Sequence, residues 1–181
     1  MRSALAVAAL LLAVSRPCYA QVAAGEYEIK AAFLPNFARF VGWPSSVLPA
    51  GAPFVIGIVG DDPFGSLLTH AVAGQFVEGH PLQMRYVRWN EGFRGCHILF
   101  IASSEVPHIT QILSEAAIAG ALTVADFESF ARRGGMIELR MVGNRVRFDI
   151  NSGAAAASGL RISSRLLILA LHVYTNGEER S

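Results

Sequence analysis

Apolar and polar residues alternate most regularly between Gly134 and Ile150. Met136 to Val142 and Arg145 to Ile150 read as two strands joined at Gly143-Asn144, and a Gly in the first of two central positions suits a type II′ hairpin turn. That register sets Met141 opposite Val146, Leu139 opposite Phe148 and Ile137 opposite Ile150, so one face is wholly apolar. The other face pairs Arg140 with Arg147 and Glu138 with Asp149, leaving opposite charges to meet along the diagonals. Asn151 is placed to cap a short Ala-rich helix and Gly159 to end it. Leu166 to Tyr174 follows, led in by Arg161, Ser163, Ser164 and Arg165; the spacing predicts a helix apolar almost all round.

Upstream, Phe33, Phe37, Phe40 and Val41 recur at helical spacing within Glu26 to Val41, with Lys30 and Arg39 off that stripe and Pro35 kinking or breaking the helix. Phe54 to Val59 is a buried strand. Asp61-Asp62-Pro63 caps a helix from Phe64 to about Ala73. Further strands are predicted at Pro81 to Val87, His97 to Ala102 and Ala121 to Val124. Helices are predicted at Glu105 to Ala119, capped by Ser103 or Ser104, and at Asp126 to Arg133. Strands separated by helices imply an α/β fold: a single-domain, three-layer sandwich with a mostly parallel sheet, helices on both faces and the last hairpin as an antiparallel C-terminal edge.

The first twenty residues stand apart. Arg2, the apolar run Ala4 to Val14 and the small residue ending Cys18-Tyr19-Ala20 make residues 1–20 a secretory signal peptide. Ser15-Arg16-Pro17 does not supply the small residues that a lipidated Cys18 requires. Residues 21–181 then form the exported domain, and no later stretch is long and uncharged enough to span a membrane. Loss of Arg2 and Arg16 takes 15 basic residues to 13, against 14 acidic, for a formal charge of −1. Near-neutrality argues against nucleic acid or an anionic membrane as the main partner. Cys96 is left as the sole cysteine, without an intramolecular disulfide, and is read as a buried, inert thiol.

Catalytic chemistry finds no foothold. Gly60-Asp61-Asp62-Pro63-Phe64-Gly65 lies where open α/β sheets bind ligands, but it lacks the lysine and glycine spacing of a phosphate loop and reads as a helix cap. His70, His80, His97, His108 and His172 have no metal-ligand spacing, so neither a metal nor a cofactor is expected. Ser103-Ser104 lacks a nucleophile elbow. Two means of docking remain. One is the apolar run with Leu166, Leu169, Leu171, Val173 and Tyr174, which is either fully buried or meets another protein. The other is arginine: Arg140, Arg147 and Arg161 fit a charged edge hairpin that resists sheet-to-sheet aggregation, and Arg147, Arg161 and Arg165 are the alternative, a site for an anionic ligand. Arg161 and Arg165 would share a face if the last helix began early enough.

The order of several stretches resembles the YfiR family of periplasmic proteins: Lys30-Ala-Ala-Phe-Leu, Asn36-Phe-Ala-Arg-Phe-Val, Trp43-Pro44, Val59-Gly-Asp-Asp-Pro-Phe-Gly, Cys96-His-Ile-Leu-Phe-Ile, Leu122-Thr-Val, Phe130-Ala with Gly134-Gly-Met-Ile, Arg147-Phe-Asp-Ile-Asn and Gly159-Leu-Arg-Ile-Ser-Ser-Arg-Leu-Leu. The resemblance implies a non-enzymatic, dimeric repressor. It would bind the periplasmic sensory domain of an inner-membrane diguanylate cyclase (YfiN-like), lowering cyclic-di-GMP and restraining biofilm formation. The alternative is a periplasmic binding protein for a small anionic or aromatic ligand, serving another sensor or a transporter. Redox-sensitive members pair the cysteine of the Cys-His-Ile-Leu-Phe segment with one on the strand before the Gly-Asp-Asp loop. Gly57 stands in that partner's place here, and Pro35 replaces a common aromatic.

Overall fold

The computed structural model describes residues 18–175 and 178–180, with side chains from Gly25 to Thr175. The expected signal peptide lies outside the described residues except for Cys18 to Ala20, which begin helix α1 (Cys18–Ala38). Pro35 does not break that helix, which runs on to Ala38. The Asn36 side-chain amide donates to the Ala32 carbonyl at 3.0 Å, adding a bond to the proline turn.

Four parallel strands make the centre of the sheet: β2 (Phe54–Val59), β4 (His80–Val87), β5 (Ile98–Ile101) and β6 (Leu122–Ala125). The hairpin β7 (Ile137–Val142) and β8 (Arg145–Asn151) follows in the predicted register, Ile137 to Ile150, Leu139 to Phe148 and Met141 to Val146. Gly143 has φ of 58° at the turn, as a type II′ first position requires. With β3 (Phe76–Val77), β10 (Val173–Thr175) and β11 (Glu178–Arg180), the sheet order is β11-β10-β8-β7-β6-β5-β2-β4-β3. A separate two-stranded ribbon joins β1 (Val41–Gly42) to β9 (Arg161–Ile162). This is the expected α/β architecture with an antiparallel C-terminal margin. The margin is the β10–β11 pair, and the Ile137–Asn151 hairpin lies one pair in from it.

Alternation along the strands divides the core in two. Ile56, Ile58, Phe100, Val124, Leu139 and Phe148 face α1 and α2 (Ser66–Val72), where Leu34, Phe37 and Leu68 cover them. Val59, Leu99, Ile101 and Ala125 face α3 (Ile109–Ala119) through Ile109, Ile112 and Ala116. Helices thus cover both faces, as a parallel sheet requires.

Three predicted helical segments differ. Ser103–His108 is a 3-10 turn leading into α3, and neither serine caps it; the Ser104 hydroxyl instead accepts the Asp61 N–H at 3.0 Å. Asp126 to Arg133 forms turns, with Ser129 at a φ of 63°. Hairpin side chains take the backbone groups a helix would use: Glu138 accepts the Ala131 N–H at 3.1 Å and Asn151 donates to the Ala131 carbonyl at 2.8 Å. Leu166 to Tyr174 divides into α5 (Ser164–Leu169), a short connection and β10. Asn151 does cap α4 (Ser152–Ala157), accepting the Ala154 N–H at 2.9 Å.

Candidate functional site

Of the five apolar residues singled out in the last segment, Leu166 and Tyr174 are buried and Leu171 and Val173 are half-buried. Leu169 is 57% exposed, and the neighbouring Ile168 is 81% exposed. Ser163 caps α5 through its hydroxyl, which accepts the Leu166 N–H at 3.3 Å. The helix therefore starts at Ser164, Leu166 points into the core and the next turn carries Ile168 and Leu169 outward. Beyond it the chain is pinned to the hairpin: the Leu171 N–H donates to the Phe148 carbonyl at 2.9 Å, and Val173 pairs in parallel with Ile150. At the hairpin turn Met141 and Val142 are also exposed. The elements named from sequence are joined, but as a six-residue helix and a strand.

The arginines separate. Arg147 alternates with Val146 and Phe148, both in the core on the α1 side, so its side chain lies on the opposite sheet face. Arg161 is on β9 and Arg165 on α5, in a segment packed on the α1-side core through Ile162 and Leu166. Helix α5 begins too late for Arg161 and Arg165 to share a helical face. The three do not converge.

Arginine and carboxylate meet elsewhere. Asp149, almost wholly buried, accepts from Arg140 Nη1 at 2.9 Å along the predicted diagonal, and its other oxygen lies 2.9 Å from His172 Nδ1. Glu138, its register partner, is also buried. Arg132 stacks over Tyr174 at 5.7 Å and donates to its hydroxyl at 3.4 Å. Arg132, Glu138, Arg140, Asp149 and Tyr174 line a polar cavity of about 240 Å³. Their polar contacts are structural, linking β7, β8 and β10 to the 126–135 turns.

Lys30 lies off the apolar stripe in sequence, yet it is buried, paired with Glu26 and with Asp126 at 2.7 Å. It also stands 4.6 Å from the Tyr27 ring centre. Burial, and then the Asp126 carboxylate, push the Tyr27 phenol up to about 12. The Glu26–Lys30 spacing is the legible half of this network; Asp126 is 96 residues distant. Cys96 is buried and free, and burial raises its thiol pKa although Arg85 Nε, donating to Sγ at 3.3 Å, opposes that rise. His97 is buried between two backbone partners: Nδ1 accepts the Val55 N–H at 3.0 Å, and Nε2 lies 3.2 Å from the Val47 carbonyl.

No group of three metal-ligating side chains occurs among the described residues. No helix among them is long and apolar enough to cross a membrane.

Among solved structures, the chain is similar to a conserved domain protein from Vibrio cholerae O1 biovar El Tor, with a TM-score of 0.53 and 13% identity. The match covers 81% of this chain and 60% of that one, and at this identity it shows the fold alone. The chain therefore spans 60% of that protein's length. Comparison with curated proteins gives no match. A family described as YfiR/HmsC-like matches residues 27–171, from the first buried turn of α1 to the residue that pins α5 to β8. That match takes in most of the sequence, and the chain belongs to the YfiR/HmsC-like family.

Proposed function

We propose that this protein is an exported regulator that binds the periplasmic sensory domain of an inner-membrane diguanylate cyclase and holds it inactive. Cyclic-di-GMP output and biofilm formation would fall as a result. Family membership supports a regulatory, non-catalytic role in this signalling. One observation carries the docking surface: Ile168 and Leu169 stand exposed on a short helix anchored on both sides, by buried Leu166 and by the Leu171–Phe148 bond. Adjacent exposed aliphatic side chains on a fixed backbone are the features of a contact that excludes water without first ordering a loop. Inhibition requires that the repressor bind the inactive cyclase conformation more tightly than the active one.

The test is binding of the purified cyclase periplasmic domain to wild type and to Leu169→Asp and Ile168→Asp. Both variants are expected to stay folded and to lose binding. Folded variants that bind as wild type place the interface elsewhere.

A further inference from the structure

At one margin the sheet ends on β3, a strand of two residues that pairs with β4 only at Pro81 and His80. The Gln75 carbonyl adds one bond, from the Leu82 N–H; before it the chain comes in from α2 through Gly74, at φ of 66°. Because the Leu82 N–H points away from β2, the N–H and C=O groups of Met84 and Tyr86 do too. None of these four groups has a hydrogen-bond partner among the described residues. The outer edge of β4 from Gln83 to Val87 is therefore open to pairing.

A cleft of about 480 Å³ runs beside it. Arg85 and Tyr86 both line that cleft, and as strand neighbours they point to opposite sheet faces, so the cleft straddles the edge itself. On the face shared with α2, Met84 is half-buried against the core and Tyr86, two residues on, is 60% exposed. On the other face Arg85 is tied back: Nε donates to Cys96 Sγ at 3.3 Å and Nη2 to the Arg94 carbonyl at 2.8 Å. Its Nη1 has no partner among the described residues. Arg94 lines the same cleft and forms no ion pair among them, whereas the one carboxylate there, Glu91, lies 3.6 Å from Arg88. The edge is thus positive on one side and apolar on the other. Self-pairing fits it badly. An antiparallel second copy engaging Met84 and Tyr86 of both chains would set Arg85 against Arg85, and any register reaching back to Leu82 runs into Gln75.

We propose that the outer edge of β4 takes up an extended segment of a partner protein as an added antiparallel strand, with the pattern apolar–acidic–apolar. The two apolar residues pair with Met84 and Tyr86 and share their face, and the acid between them meets Arg85 Nη1 and Arg94. The cyclase reading rests on α5, next to β8 and β10, and uses no part of this edge.

The test is a cyclised two-stranded peptide whose outer strand reads Val-Glu-Val, both valine N–H groups facing out, titrated into the 15N-labelled protein. The Met84 and Tyr86 amides should shift saturably and exchange with solvent at least tenfold more slowly. Val-Lys-Val should bind at least tenfold more weakly. N-methylation of the two valines, which keeps every side chain, should abolish binding. Arg94→Glu, a change at an exposed residue, should weaken Val-Glu-Val at least tenfold. Equal binding of Val-Lys-Val or of the N-methylated peptide, unchanged affinity in folded Arg94→Glu, or shifts confined to other elements overturns the proposal. So does saturation by none of the peptides. Slow exchange at Met84 and Tyr86 in the protein alone, lost on dilution, overturns it in favour of a second copy. No cyclase enters the measurement, so its failure is distinct from failure of the docking reading.

Discussion

A Cβ built on Gly57 falls 2.9 Å from Sγ of Cys96. Standard bond lengths and angles put the Cβ of one half-cystine about 3 Å from the sulfur of the other. By that distance the strand β2 position lies within disulfide reach of Cys96, a free cysteine. Gly57→Cys should close that bridge under oxidising conditions, seen as loss of two free thiols by mass and thiol titration. The oxidised variant should be more stable than its reduced form by about 2–4 kcal/mol. Leu99 Cδ2, also 2.9 Å from the built Cβ, has to move aside and works against the gain. Wild type should melt at the same temperature with and without reductant; a shift there, or two persistent thiols in oxidised Gly57→Cys, contradicts the reading.

Leu166 and Leu169 separate fold from surface. Leu166→Ala removes a core side chain and should cost about 2–5 kcal/mol in denaturant unfolding. Leu169→Asp changes a residue that is 57% exposed and should stay within about 0.5 kcal/mol of wild type. Equal losses at the two positions would mean that α5 is packed on both sides.

Lys30 holds the middle of α1 to the end of β6 through Asp126. Removing the ammonium strands a carboxylate whose side chain is only 9% exposed, so Lys30→Ala should destabilise by about 3–5 kcal/mol. Lys30→Ala combined with Asp126→Ala should recover part of that loss, because the stranded charge goes too. Additive losses in the double-mutant cycle would show that the two groups are not coupled.

His97 makes stability depend on pH. Burial is the main cause that lowers its pKa below the ordinary 6.5; the Val47 carbonyl opposes this, and His80 and Arg85 add to the lowering. An unfolded His97 takes up its proton near pH 6.5 while the folded ring stays neutral. Its contribution is whole above that pH and is lost as pH falls toward the folded pKa, by up to about 1.4 kcal/mol per pH unit. An imidazole NMR titration should give His97 a midpoint below the ordinary value of about 6.5; a midpoint at or above it would contradict the burial argument.

Where neighbours in sequence decide the outcome, the sequence was sufficient. The hairpin register followed from a two-residue turn and strict alternation, because side chains two apart must share a face. The Asn151 cap, the central parallel strands and the Arg140–Asp149 diagonal were legible for the same local reason. An apolar run such as Leu166–Tyr174 suits helix and buried strand alike. It became strand at Val173 because β8 offered an open parallel edge. Asp126 to Arg133 lost its helix to Glu138 and Asn151, and Lys30 was drawn inside by a carboxylate from the far end of β6. Local periodicity thus determined the central strands, the hairpin and its faces, while contacts distant in sequence decided where apolar runs became helix, strand or turn, which charges are buried and which surfaces remain open, since the energy of burial depends on partners no sequence window contains.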